Sequence, residues 1–225
     1  MILNEAQLKS VLRNAYIGDE CLDYCSDLQK YIMLITASCG RGKTYYTLSL
    51  DENGMLAEIN RIRRKNNLFV KDLEDIKPYE VLFLTSRKIV RIQQIENNPN
   101  CVEAKEYDFD GSENWEDADR VNKILVSTAH RFGEWVREGK VKRMPKVIVL
   151  DEIHSLFAET IFADSLYYTL EYIKENYNDL IKIGLSATPQ FLFNYVKDET
   201  FRFYTIDIDL GSKYKAQNIY CYKNG

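Results

Sequence analysis

Tyr31-Ile-Met-Leu-Ile35 leads through Thr36 into Ala37-Ser38-Cys39-Gly40-Arg41-Gly42-Lys43-Thr44 and on to Tyr45-Tyr46-Thr47-Leu48, and this passage decides how the rest of the chain is read. An apolar run of this length predicts a strand buried on both faces, as in parallel sheets. Gly40 and Gly42 predict a turn with backbone angles closed to other residues, and the stretch from Tyr45 is helix-compatible. A strand, a glycine turn and a helix in that order aim several backbone N–H groups and the positive end of a helix dipole at one point. A triphosphate fits there. The Lys43 ammonium can reach the β- and γ-phosphates and the Thr44 hydroxyl can ligate Mg²⁺. The expected nucleotide-binding set is Ala37, Ser38, Cys39, Gly40, Arg41, Gly42, Lys43, Thr44 and Tyr45, with Ala37 where the general phosphate-loop pattern has its first glycine.

Outward from this passage, similar apolar runs recur at Val81–Leu84, Ile124–Val126, Val147–Leu150 and Leu180–Leu185. Helix-length segments separate them. That alternation predicts an α/β fold, a doubly wound and mostly parallel sheet with helices on both faces. Alternation in Phe201–Leu210 predicts a further strand, and Gln217–Tyr222 another. Residues 1–30 read as a helical segment packing on the core, from the spacing of Leu3, Leu8, Val11, Leu12 and Ala15. Residues 31–210 form the main domain, and 211–225 a terminal strand or hinge. Two stretches read as insertions: 51–80, with basic Arg61, Arg63, Arg64 and Lys65, and the acidic 103–119. Charge blocks of this kind are usually solvated faces.

Val147-Ile-Val-Leu-Asp151-Glu152-Ile153-His154 carries the second chemical signal. Carboxylates at the C-terminal end of a buried parallel strand lie on the sheet edge where α/β proteins bind ligands. Asp151 would then hold Mg²⁺, together with Thr44, and Glu152 would orient the water that attacks the γ-phosphate.

In order, Ala-Ser-Cys-Gly-Arg-Gly-Lys-Thr at 37–44, Asp-Glu-Ile-His at 151–154 and Ser186-Ala187-Thr188 resemble motifs I, II and III of superfamily-2 helicases, in the D-E-x-H branch. The resemblance covers about residues 31–190. It implies a RecA-like ATP-binding domain using ATP and Mg²⁺, with Lys43, Asp151, Glu152 and His154 catalytic. His154 would meet Ser186 and Thr188 to couple nucleotide state to strand movement. Locally, Thr188 can also cap a helix begun by Pro189. Thr85-Ser86-Arg87 resembles motif Ia and Ser127-Thr128-Ala129-His130-Arg131 motif Ib, so Thr85, Ser86, Arg87, Thr128, His130 and Arg131 are expected nucleic-acid contacts. Each stretch reads equally as a helix cap. No glutamine sits at the adenine-reading distance, Gln29 being too near the loop and Gln7 far from it. Nothing after residue 190 resembles motifs IV to VI, so the expected partners are DNA or RNA and a second RecA-like domain of a longer chain. A phosphotransferase on the same loop would leave D-E-I-H and S-A-T unexplained, and a third reading is a non-catalytic, nucleotide-gated interaction module that uses ATP to set its shape.

Composition bounds these readings. The net charge of −4 supplies no overall field toward nucleic acid or an anionic membrane, so any such contact must be local. No apolar run approaches the roughly 18–20 residues of a membrane span, which sets the cytoplasm as the expected address. Cys21, Cys25, Cys39, Cys101 and Cys221 lack zinc-site pairing and read as reduced thiols.

Overall fold

The computed structural model describes residues 8–12, 22, 27–38, 40–67, 73–111, 118–196 and 198–207. In chain order its elements are β1 Leu8–Leu12, β2 Ile32–Thr36, α1 Lys43–Leu48, α2 Met55–Asn66, β3 Val81–Thr85, α3 Lys88–Asn97, β4 Cys101–Glu103 and α4 Ala118–Val121. Then follow β5 Ile124–Thr128, α5 Ala129–Arg137, β6 Val147–Leu150, α6 Ile153–Glu159, α7 Asp164–Glu175, β7 Ile181–Ser186, α8 Pro189–Tyr195 and β8 Phe203–Asp207.

The strands form one sheet in the order β1-β8-β2-β7-β6-β3-β5-β4, and every pairing is parallel. Side chains alternate across each strand, so each central strand feeds two cores. Met33, Ile35, Phe83, Val149 and Ile183 pack with Met55, Ile59 and Ile62 of α2 on one face. Ile32, Leu34, Leu84 and Ile148 pack with Phe132 of α5, Leu156 of α6 and Ile173 of α7 on the other. This is the doubly wound layout that the apolar runs predict, and all the functional loops emerge from one edge of it.

Three elements differ from the sequence reading. Residues 8–12 are a strand and not part of a helix, since β1 pairs with β8 along its whole length. The backbone bonds offered by that edge outweigh a weak helical spacing. The expectation for the remainder of 1–30 falls largely outside the described residues, as do those for 211–225 and Gln217–Tyr222. The basic stretch within 51–80 is not an insertion. Helix α2 buries Met55, Leu56, Ile59 and Ile62, and its buried Glu58 accepts from Leu22 N at 2.6 Å and from the Tyr46 hydroxyl. Nor is 103–119 wholly outside the fold, because it begins at the end of strand β4.

Where helices α5 and α7 cross, a Cβ on Gly133 would lie 1.7 Å from the Ser165 carbonyl oxygen, so glycine is required for the close approach. Cys101 is a buried free thiol, pushed up to about 12 by burial. The other cysteines lie outside the described residues.

Strand β7 carries an unusual core residue. Lys182 is fully buried, donates to the carbonyls of Gln29 and Tyr177, and lies 3.8 Å from the centre of the Tyr177 ring. Burial pushes its ammonium down to about 7, against the pull of Asp27 and Asp179. Between pH 7 and the unfolded value near 10.4 the unfolded chain therefore holds a proton that the folded chain does not, and stability rises with pH. Urea unfolding is expected to show about 1–2 kcal/mol more stability at about pH 9 than at pH 7.5 relative to Lys182→Met, since one proton is worth at most about 1.4 kcal/mol per pH unit. Parallel profiles for the two proteins would contradict it.

Candidate nucleotide site

The buried strand β2 delivers the chain into a turn where Gly40 has φ 80° and Gly42 φ 84°. A Cβ at either position would meet no atom within 4 Å. The left-handed backbone, and not crowding, is what calls for glycine there. The turn hands over to α1, whose first residue is the largely buried Lys43. Its ammonium donates to the carbonyls of Ala37 (2.5 Å) and Ser38 (3.2 Å), folding back over the loop. The same loop is pinned to the next strand by the Ala37 N–H, which donates to Ser186 O at 3.3 Å. Arg41 N–H closes on the Ser38 carbonyl at 3.4 Å, and Tyr45 is exposed with its hydroxyl 3.4 Å from Asp51. Cys39 lies outside the described residues.

The acidic corner sits at the end of β6, separated from β2 by β7 alone. With strands about 4.8 Å apart, the two loops emerge about 10 Å from each other on one rim. The Asp151 N–H is held by Leu84 O at 2.9 Å. Burial and the Glu152 charge push the Asp151 carboxyl up to about 6, while the Lys43 ammonium pulls it down, so the two loops lie within electrostatic reach. Glu152 has φ 49° and ψ 53°, the one non-glycine residue with positive φ among the described residues. This twist directs the chain straight into α6. Gly184 of β7 makes room for that helix, since a Cβ there would meet Ile153 Cδ1 at 2.8 Å.

With α6 seated in this way, His154 Nδ1 lies 3.2 Å from Ser186 Oγ and 3.3 Å from Glu152 Oε2. Ser186 Oγ in turn accepts from Thr188 N–H at 3.1 Å. A polar chain thus runs from the acidic corner across the end of β7 to α8, through Ala187. Thr188 stands at the N-cap of α8, but its hydroxyl makes no capping bond and its carbonyl accepts from Phe191 N–H. The expected side-chain cap is absent, since the Phe191 N–H that it would take goes to the Thr188 carbonyl at 3.2 Å. Gln29 donates to Asp179 O at 3.1 Å, at the opposite end of the sheet from this rim.

Thr44 and Asp151 supply hydroxyl and carboxylate oxygens, the hard donors that Mg²⁺ takes. A desolvated carboxylate repelled by Glu152 is the group that a cation would relieve. Among the described residues no three His, Cys, Asp or Glu side chains gather into a metal cage.

Beyond Asp151 the rim continues over β3 and β5. Thr85 is fully buried and donates to Arg87 O at 3.1 Å, so its side chain is not available for the expected nucleic-acid contact. Ser86 and Arg87 reach the surface. Thr128 caps α5, accepting from Arg131 N–H at 3.2 Å. His130 Nδ1 lies 2.9 Å from Ser165 Oγ, and Arg131 pairs with Glu103 at 2.8 Å. A cleft lined by Ser86, Asp151, Ser155 and Glu159 joins the two halves of the rim.

Residues 5–191 match the family model described as type III restriction enzyme, res subunit. The chain belongs to that family. It is a superfamily-2 helicase domain of the RecA-like, ATP-binding type. Helicases of this type as a class hydrolyse ATP with Mg²⁺ and bind nucleic acid. No helix among the described residues is long and apolar enough to cross a membrane. Solved structures similar to this chain include the Hef helicase domain of Pyrococcus furiosus, at 18% identity and TM-score 0.44, over 84% of this chain and 38% of that one. A DEAD box protein from the hyperthermophile Methanococcus jannaschii matches at 17% and 0.44, over 93% and 56%. A hypothetical ATP-dependent RNA helicase from Sulfolobus tokodaii matches at 16% and 0.42, over 86% and 53%. The chain thus spans between 38% and 56% of the length of these three. No curated protein sequence matches it.

Proposed function

We propose that this chain is the first motor domain of a nucleic-acid translocase or helicase, coupling Mg²⁺–ATP hydrolysis to movement on DNA or RNA. The observation that carries the reading is the shared rim: Lys43 and Asp151 lie within each other's field, and His154 joins the acidic corner to Ser186.

In this reading the turn N–H groups and the α1 dipole bind the phosphates, and Lys43 leaves the Ala37 and Ser38 carbonyls to meet the γ-phosphate. Thr44 and Asp151 would hold Mg²⁺, which would supply positive charge against that developing on the phosphoryl oxygens. Glu152 orients the attacking water. His154 senses the change at Glu152 and passes it through Ser186 to the Thr188 backbone and α8. Ser86, Arg87, Thr128, His130 and Arg131 lie along the path of the nucleic-acid backbone, offering contacts that position without reading sequence. A second RecA-like domain supplies the arginine that completes the site, a contribution of about 10³–10⁵ in rate.

The test is ATP turnover by the chain, with and without single-stranded DNA or RNA and with and without Mg²⁺. Slow, Mg²⁺-dependent turnover that either polymer stimulates is expected. Phosphate transfer to a small acceptor in place of hydrolysis, or binding with no turnover even after a second domain is supplied, would replace the motor reading.

A further inference from the structure

A corner at the outer end of the rim is not used by the nucleotide site. Glu103, the last residue of β4, receives Arg91 of α3 (Nη1 to Oε1, 2.5 Å), Lys105 (Nζ to Oε2, 2.8 Å) and Arg131 of α5 (Nη1 to Oε1, 2.8 Å). Arg120 donates to the Glu103 carbonyl at 3.1 Å while its guanidinium pairs with buried Asp108. Four cations therefore meet two carboxylates, in a chain whose net charge is −4.

The corner also leaves one donor over. Arg91 is 8% exposed, and its Nε is buried with no hydrogen-bond partner among the described residues. A buried donor left unpaired costs about 1–3 kcal/mol, more when the group is charged. Three cations share the single charge of Glu103, so the corner keeps an excess of positive charge that an anionic phosphate can meet. The corner is open to solvent, the Glu103 side chain being 29% exposed and those of Lys105 and Arg131 each 38%. It also follows the line of the rim. Arg91 lies in the first turn of α3, just after Arg87, and Arg131 in the first turn of α5, just after Thr128.

We infer that Arg91, Lys105 and Arg131 form a binding site for one phosphate of a nucleic-acid backbone, and that Glu103 blocks it by standing in the phosphate's place. This rests on the motor reading of the rim. Glu103 then acts as a built-in competitor: the backbone must displace it, so the site grips weakly and releases readily, as stepping requires. Gly40, Gly42 and Lys43 of the phosphate loop take no part in it.

The experiment follows the anisotropy of labelled single-stranded DNA and RNA oligonucleotides bound to the full chain across a salt series. Glu103→Gln is expected to tighten binding by about tenfold at about 50 mM salt and to steepen the slope of log K against log salt by about 0.7, one added phosphate contact. Adding Lys105→Gln and Arg131→Gln to that variant should return the affinity to the wild-type value or below. The same pair in the wild-type background, which leaves buried Arg91 in place, should weaken binding and flatten the slope, and this arm stands even if Glu103→Gln fails to fold. Unchanged or weaker affinity in a folded Glu103→Gln, or no effect of the Lys105/Arg131 pair, would overturn the inference. So would competition by millimolar inorganic phosphate strong enough to erase the gain, which would mark a site for a free anion. Wild-type protein that binds ATP but none of the oligonucleotides, with Glu103→Gln equally silent, would sink the motor reading as well; wild-type binding indifferent to Glu103 would sink the corner alone.

Discussion

Lys43→Ala is expected to lower ATP affinity by about 10- to 100-fold and turnover by a further 10²–10³, with the fold intact. The affinity term follows from losing a charge-assisted hydrogen bond to phosphate, worth about 1.5–3 kcal/mol. The rate term follows from losing a fixed positive group where charge develops on the transferring phosphoryl. The fold should survive because among the described residues the Lys43 ammonium holds only the loop's own Ala37 and Ser38 carbonyls, and Ser38 is exposed to water that can replace it. The central strand and the apolar residues of α1 remain packed without it. Calorimetric titration with Mg²⁺–ATP, beside a thermal melt, reads both parts. Unchanged affinity and turnover in a folded Lys43→Ala would mean that the loop does not bind nucleotide, and the reading of the rim would end there.

Asp151 separates stability from function in the same pocket. Its carboxyl is pushed up by burial and by Glu152, so at neutral pH the ionised form is held in the fold at a cost. Such a group is retained for what it does, which agrees with a role in holding Mg²⁺.

The parts of this architecture legible in the sequence are those written as contiguous stretches. Each central strand buried on both faces is an unbroken apolar run, and β2, β3, β5, β6, β7 and β8 all fall where such runs or alternation place them. The phosphate loop and the acidic corner are readable for the same reason, since each is a turn joined to the strand that positions it. Strand β1 misleads because its pairing with β8 lies almost 200 residues away in the chain, about the full domain length, and leaves no local mark. Strand β4 is three residues long, too short for any period to show. Helix α2 presents four cations within five positions and hides its buried Met55, Ile59 and Ile62 behind them. The corner around Glu103 is assembled from residues 91, 103, 105 and 131, on three separate elements and a loop, and sequence reasoning reached only Arg131. Thr85 and Thr128 show the limit from the other side. Both sit at a strand end as the motifs require, yet one hydroxyl is buried and the other caps a helix.

The backbone at Glu152 allows its chemical and conformational roles to be separated by two substitutions. A glutamate in the left-handed region costs about 1–2 kcal/mol, which glycine avoids. Glu152→Gln keeps the side-chain shape, the strain and the neighbourhood of His154, but removes the charge that polarises water. It should bind ATP as the wild type does and hydrolyse it about 10²–10³ times more slowly, the usual effect of losing one acid–base or charge-stabilising group. Glu152→Gly should be equally slow, yet more resistant to unfolding by about 1 kcal/mol, because relief of the strain exceeds the extra backbone entropy of glycine and the loss of a half-exposed contact to His154. Normal turnover in Glu152→Gln would remove the water-orienting role while leaving the nucleotide site in place. A Glu152→Gly protein less stable than the wild type would show that the turn is held by the glutamate's own contacts. If both results fall as expected, the twist that starts α6 is a stability sacrifice made to aim one carboxylate at the γ-phosphate.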